Sequence, residues 1–180
     1  WFGSSGRGIY NYNYQNHQLK NYQPNNSDPE SLSARYARSL LVDSKGNLWV
    51  GTNNGLNKKE SGSEKFTRFF YNPDKKNRIS SNNIYSLFED SKKNIWIGTA
   101  GGGVNIYDPH SGNFSQLSKT DGLPGNDVYG ILEDDSGLIW MSTENGIAAY
   151  NKFTKTFRNF DYTDGLQGNQ FNPGSAFKSK

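Results

Sequence analysis

The sequence predicts an all-β protein made of β-propeller blades, each a sheet of four antiparallel strands, and three observations carry that prediction. First, all four tryptophans fill the same slot of a repeated phrase: Trp1-Phe-Gly-Ser4, Trp49-Val-Gly-Thr52, Trp96-Ile-Gly-Thr99 and Trp140-Met-Ser-Thr143. They stand 48, 47 and 44 residues apart (1 to 49, 49 to 96, 96 to 140), a period that belongs to repeat architectures. Second, each period breaks into short apolar and aromatic runs separated by Gly- and Asn-containing turn signals. Third, no stretch sustains an i, i+3, i+4 apolar pattern, and Gly makes up 20 of 180 residues, which argues against a helical solenoid.

The elements follow in order within each period. The first strand reads Ala37-Arg-Ser-Leu-Leu-Val-Asp43, Ile84-Tyr-Ser-Leu-Phe-Glu-Asp90 and Val128-Tyr-Gly-Ile-Leu-Glu-Asp134, runs too short for a helix. Gly46 and Gly137 supply the positive φ that the following tight turn requires, whereas Lys93 holds that position without the freedom of glycine. The turn at Lys93 is therefore expected to be strained or different. In the second strand, alternation puts Trp49 and Gly51 on one face and Leu48, Val50 and Thr52 on the other. The same holds for Trp96 and Gly98, and a glycine two residues after the indole lets a neighbouring sheet come close. Asn54-Gly55, Gly102-Gly103 and Asn145-Gly146 turn the chain into third strands at 56–59, 104–107 and 147–150. Fourth strands carry Phe66 and Phe69, Phe114 and Leu117, Phe157 and Phe160. One domain, 1–180, thus holds blades at about 1–23, 37–70, 84–117 and 128–160, with the first strand of a further blade at 171–178.

Among propeller repeats, the absence of a Trp-Asp dipeptide and of recurrent adjacent glycines makes WD40 and kelch poor fits. The segment from Ile84 through Trp96-Ile-Gly-Thr99 to Asp108, with linkers such as Thr120-Asp-Gly-Leu-Pro-Gly-Asn126 and Thr163-Asp-Gly-Leu-Gln-Gly-Asn169, resembles the two-component regulator propeller repeat. That repeat is found in periplasmic sensor regions of hybrid two-component histidine kinases, chiefly of Bacteroides-type bacteria. The resemblance implies a periplasmic location, a ring larger than four blades, and detection of oligosaccharides released by polysaccharide breakdown. About four blades would then form an arc, a partial propeller, rather than a closed four-blade ring. An arc leaves blade faces uncovered, so self-association is expected, for instance as two arcs completing one ring.

Composition narrows the chemistry. A chain of 180 residues buries roughly 70 % of its unfolded surface, and aromatics at 14 % compensate for a hydrophobic fraction of only 32 %. A net charge of +3 without a basic stripe argues against nucleic acid. There is no cysteine and no apolar run of 18 residues, so neither disulfides nor direct membrane insertion is expected of this segment. The two histidines, His17 and His110, fall in turns between third and fourth strands of different blades, an arrangement of solvated turn residues rather than of a metal site. Glu89-Asp90 and Glu133-Asp134 repeat at the end of first strands, where Asp caps a turn, so their role is structural. Asp134-Asp-Ser-Gly137 lacks the alternating ligands of a calcium loop, and Gly101-Gly-Gly103 precedes no helix that would hold a phosphate.

No catalytic residue, metal or cofactor is expected. A ligand site is placed at one mouth of the propeller, on the segments leading into each first strand. These supply Arg35, Arg38, Asn82, Asn83, Tyr85, Asn126, Tyr129 and Asn169. Amides and guanidinium groups suit hydroxyl and carboxylate recognition, and tyrosine rings suit sugar faces. The competing reading is that the asparagines shape turns, and the sequence leaves the two open. An enzyme, such as a propeller lyase, would need a convergent acid and base that the outlying histidines do not provide.

Overall fold

The computed structural model describes residues 1–178, and they form four antiparallel sheets in strictly up-and-down order. The first blade has three strands, β1 (Phe2–Gly3), β2 (Ile9–Asn13) and β3 (Gln18–Tyr22). The second has four, β4 (Ala37–Val42), β5 (Leu48–Thr52), β6 (Gly55–Lys59) and β7 (Phe66–Phe69). The third comprises β8 (Ile84–Glu89), β9 (Ile95–Thr99), β10 (Val104–Asp108) and β11 (Asn113–Leu117). The fourth comprises β12 (Val128–Glu133), β13 (Ile139–Thr143), β14 (Gly146–Asn151) and β15 (Thr156–Phe160). The first strands β4, β8 and β12 lie side by side, the arrangement of radial blades around one axis. Among the described residues the only helical turns are 3₁₀, at Lys119–Asp121 and Tyr162–Asp164.

The cores lie between blades rather than inside them. Ile9 of the first blade meets Leu48, Val50 and Phe66 of the second. Trp49 and Leu56 of the second blade pack on Ile84, Ile95, Ile97 and Tyr107 of the third. Trp96 and Val104 of the third pack on Val128, Ile139, Met141 and Tyr150 of the fourth. Each linker adds one plug to its seam, Leu32, Ile79 or Leu123, none of them more than 2 % exposed.

The glycine after the indole does what its position suggests. A Cβ on Gly51 would lie 2.6 Å from Ile84 Cγ2, and one on Gly98 would lie 2.5 Å from the Val128 carbonyl oxygen, distances that no real side chain tolerates. The fourth blade carries Ser142 at this place.

Turn chemistry fixes the hairpins. Gly46 and Gly137 have φ of 80° and 84°, and Lys93 takes the same turn at φ 72°. The turn is therefore unchanged and the strain falls on Lys93. A left-handed non-glycine residue costs about 1–2 kcal/mol, so Lys93→Gly is expected to stabilise the chain by about 1 kcal/mol and raise Tm by about 2–4 °C, as read by calorimetry. At the other end of the second strands, Thr52, Thr99 and Thr143 donate their hydroxyls to the carbonyls of Gly55, Gly103 and Gly146 at 2.8–2.9 Å. This accounts for the threonine of the repeated phrase.

Two expectations need correction or resolution. Residues 171–178 form no ladder, because they pack over the face of the fourth blade, Ala176 against Gly130, rather than beside a strand edge. Between the two closures considered, the structure is an arc. The terminal segment lies over the fourth blade, sharing a cleft with Gly130, Leu132, Trp140 and Met141, and does not fold back as a fourth strand on the first, which has three.

Candidate functional site

The mouth of the arc is built by one repeated irregularity. The ladder runs Ala37 opposite Thr52 and then Ser39 opposite Gly51, skipping Arg38. It likewise skips Tyr85 between Ile84 and Ser86, and Tyr129 between Val128 and Gly130. Each is a β-bulge, which leaves one residue unpaired and re-aims its side chain. Because β4, β8 and β12 are neighbours, the three bulged residues line up. The Tyr85 and Tyr129 rings are 5.3 Å apart at 51°, and the Arg38 guanidinium sits 5.3 Å from the Tyr85 ring. The result is a row of guanidinium, phenol and phenol, with both tyrosines half-buried and Arg38 exposed.

The row is held from below. Asp127 accepts the Gly101 N–H at 2.6 Å and, at 3.4 Å, the Tyr129 hydroxyl. Burial, followed by the nearby Asp127 carboxylate, pushes the Tyr129 phenol up from its ordinary value. Glu144 in turn accepts the N–H groups of Asn126 and Asp127, both at 2.9 Å. Both acids were missed at the sequence level. The signal available for Glu144 was its carboxylate after the Thr143 of the phrase, where the other periods have Asn53 and Ala100.

The remaining candidates take other posts. Arg35, Asn82, Asn126 and Asn169 occupy equivalent positions, and their carbonyls accept the N–H of Gly8, Gly55, Gly103 and Gly146 at 2.6–2.8 Å, tying each second-to-third turn to the following segment. The amide oxygens of Asn82, Asn126 and Asn169 are also engaged, by the N–H groups of Tyr71, Lys119 and Tyr162 at 2.7–2.9 Å. The backbone carbonyls of these four residues thus serve the seams between blades. Asn83 differs: its carbonyl takes the Ala100 N–H, while its side-chain oxygen is buried without a partner among the described residues.

The opposite mouth holds the repeated acids. Asp43, Asp90 and Asp134 each accept the indole N–H of their own blade's tryptophan, at 2.9, 2.9 and 2.7 Å, together with turn N–H groups. Glu89 accepts the Ser44 N–H and hydroxyl from the preceding blade, and Glu133 does the same for Ser91. Lys152 bridges Glu133 at 2.6 Å and Asp90 at 3.3 Å, with side chains only 11 %, 9 % and 0 % exposed. His17 and His110 are exposed in their turns.

These contacts give the acids depressed pKa values. Burial opposes ionisation of Asp43 and Asp90, but the indole and amide hydrogen bonds outweigh it and both end below 3.8. For Glu133 burial is outweighed by Lys152 and Ser91, giving a value below 4.5. The Ser136 hydroxyl and the Trp140 indole bring Asp134 to about 2. A carboxyl depressed on folding stabilises fully above its unfolded value and loses that contribution as pH falls through the folded one. Urea midpoints followed by tryptophan fluorescence are therefore expected to be flat above the carboxylate range and to fall between pH 4.5 and about 2. A midpoint unchanged down to that limit would contradict the assignment.

With the geometry in place, known proteins can be compared. Residues 31–54, 78–101 and 122–145 match the two component regulator propeller family. Three of the four blades carry a match to the two-component regulator propeller repeat. Each matched stretch runs from a linker through the first and second strands, so it covers the bulge, the Asp turn and the indole. Over 98 % of its length the chain is 35 % identical to a histidine kinase of Formosa agariphila, of which it covers 13 %. The extracellular domain of a hybrid two-component system from B. thetaiotaomicron superposes with a TM-score of 0.71 at 29 % identity, over 84 % of this chain and 20 % of that one. The chain thus spans a small part of these relatives. Virginiamycin B lyase from Staphylococcus aureus superposes with a TM-score of 0.55 at 19 % identity, over 79 % of this chain and 45 % of the lyase, a likeness of fold alone. Among the described residues, no helix of the propeller repeats is long and apolar enough to cross a membrane.

Proposed function

We propose that this chain is a ligand-sensing propeller segment in the periplasmic ectodomain of a hybrid two-component sensor, responding to oligosaccharides from polysaccharide breakdown. Likeness to a histidine kinase and to an extracellular sensor domain supports the setting. The observation that carries the ligand reading is the row of Arg38, Tyr85 and Tyr129, brought together by three bulges in register. Two tilted phenol rings offer faces to the C–H surface of a sugar, and Arg38 at one end offers a fork of donors for a carboxylate. Signalling then requires the ligand to bind one arrangement of the ectodomain more tightly than another.

A second reading, blades that only space the receptor, draws support from the asparagines spent on seams. We infer a non-catalytic role in either case. Asp127 and Glu144, the acids beside the row, are already committed to backbone N–H groups, which leaves no free acid and base to converge on a substrate.

Calorimetry against neutral and uronate-containing oligosaccharides separates the readings. Tyr85→Ala and Tyr129→Ala are each expected to weaken binding about tenfold, equivalent to 1.4 kcal/mol. Arg38→Gln is expected to weaken only the uronate series. Affinities unchanged in all three variants would favour the spacer.

A further inference from the structure

The row of Arg38, Tyr85 and Tyr129 is electrically unequal along its length. At one end the Arg38 guanidinium stands 5.3 Å from the Tyr85 ring. At the other lie two carboxylates, Asp127 beside the Tyr129 hydroxyl and Glu144 holding the N–H groups of Asn126 and Asp127. Neither these acids nor Arg38 enters an ion pair among the described residues. On the opposite mouth a comparable pair, Asp90 and Glu133, is neutralised by Lys152. The Tyr129 phenol registers the field: after burial, Asp127, Tyr85 and Glu144 all push its pKa up.

Asp127 is anchored through one oxygen only. That oxygen accepts the Gly101 N–H at 2.6 Å, and the other has just the Tyr129 hydroxyl at 3.4 Å, beyond the usual range for an O–H donor. In the third blade the same place belongs to Asn83, two residues before the skipped Tyr85 as Asp127 is two before the skipped Tyr129. The Asn83 side-chain oxygen is buried and has no partner among the described residues.

Turn length accounts for the difference. Three residues separate Thr99 from Gly103, and the middle one, Gly101, turns its N–H to Asp127. Only two separate Thr52 from Gly55. There the Asn53 N–H goes to the Tyr36 carbonyl and the Asn54 N–H returns to the Thr52 hydroxyl at 3.0 Å, so the shorter turn leaves no donor for Asn83. A buried acceptor without a donor favours a ligand that brings one. Two carboxylates without a cation favour positive charge, which a hydroxyl does not supply. Arg38 favours the opposite sign.

We propose that the row takes its ligand in one direction: an acidic oligosaccharide with a carboxylate at Arg38 and an unacetylated amine at Asp127, Asn83 accepting a donor from the sugar between them. This rests on the ligand reading of the row and narrows it to acidic glycans that contain amino sugars. All of these groups meet across the seams joining the second, third and fourth blades. Acetylation removes the charge of the amine, so N-acetylation is the modification the site discriminates against.

Calorimetry on the whole chain tests this with one tetrasaccharide of alternating uronate and hexosamine, prepared with free amines and fully N-acetylated. The wild type is expected to bind the free-amine form about tenfold more tightly. Asp127→Asn keeps an oxygen for Gly101 and installs the residue that the third blade already carries. It is expected to abolish the preference and leave the affinity for the N-acetylated form unchanged. Asn83→Leu is expected to weaken both forms by about tenfold and leave their ratio as it was. Equal affinity of the wild type for the two forms, or a preference that survives Asp127→Asn, overturns the proposal while the ligand reading stands. So does binding of neutral oligosaccharides with neither form bound. A wild type that binds none of them removes the ligand reading and this proposal together.

Discussion

Trp96→Ala is expected to destabilise the chain by about 3–5 kcal/mol, and Trp140→Ala by about half as much or less. The two residues hold the same slot of the phrase, and each donates its indole N–H to the aspartate six residues earlier. They differ in what lies beyond. Trp96 is 1 % exposed in a core completed by Val128, Ile139, Met141 and Tyr150, so removing it opens a cavity that two blades would have to collapse. Trp140 is half-buried on the outer flank, where solvent can fill the space. Urea titration of the two variants checks this, under conditions where the wild type is monomeric. Equal losses would mean that the indole acts chiefly within its own blade, contrary to cores placed between blades.

Lys152→Met is expected to cost on the order of 3 kcal/mol at neutral pH. The ammonium neutralises two carboxylates that are 0 % and 9 % exposed, and a methionine of similar shape leaves both charges without it. Their other partners, Trp96 and Asn94 for Asp90 and Ser91 for Glu133, remain, which keeps the loss below that of a fully orphaned pair. Two signatures separate electrostatics from packing. The difference from wild type is expected to shrink as pH falls into the carboxylate range, because protonation removes the uncompensated charge. Combining Lys152→Met with Glu133→Gln is expected to cost less than the sum of the single losses, as coupled neighbours do. A penalty independent of pH would assign the effect to side-chain volume.

What the sequence made legible was local. The hairpin turns, the alternation of Trp49 and Gly51, and the aspartate ending each first strand are written in neighbouring residues, and the structure follows them to within a residue or so. Even the misfit at Lys93 was visible, because its two counterparts are glycines. Contacts whose partners lie a blade away were not. A bulge is a mismatch between two strands, so nothing in the run from Ile84 to Glu89 announces that Tyr85 is the residue skipped. Ser91 with Glu133, and Lys152 with Asp90, are separated by 42 and 62 residues. The 171–178 segment reads as a strand by composition, yet a ladder needs an edge to join. The ligand candidates divide along the same line. Arg38, Tyr85 and Tyr129 meet only because bulges in three sheets coincide, whereas the repeated asparagines serve the seams.

Placing the apolar contacts in the seams has a consequence for how the molecule comes apart. A lone blade has little to bury, so the smallest unit able to persist is a neighbouring pair, and stability grows by nearest-neighbour increments as in other linear arrays. Opening should then fray inward from the two outer sheets, with amide exchange slowest at the junction of β4 and β8. That junction also carries Arg38 and Tyr85, so whatever rests on that guanidinium and ring would grip the last part of the array to unravel.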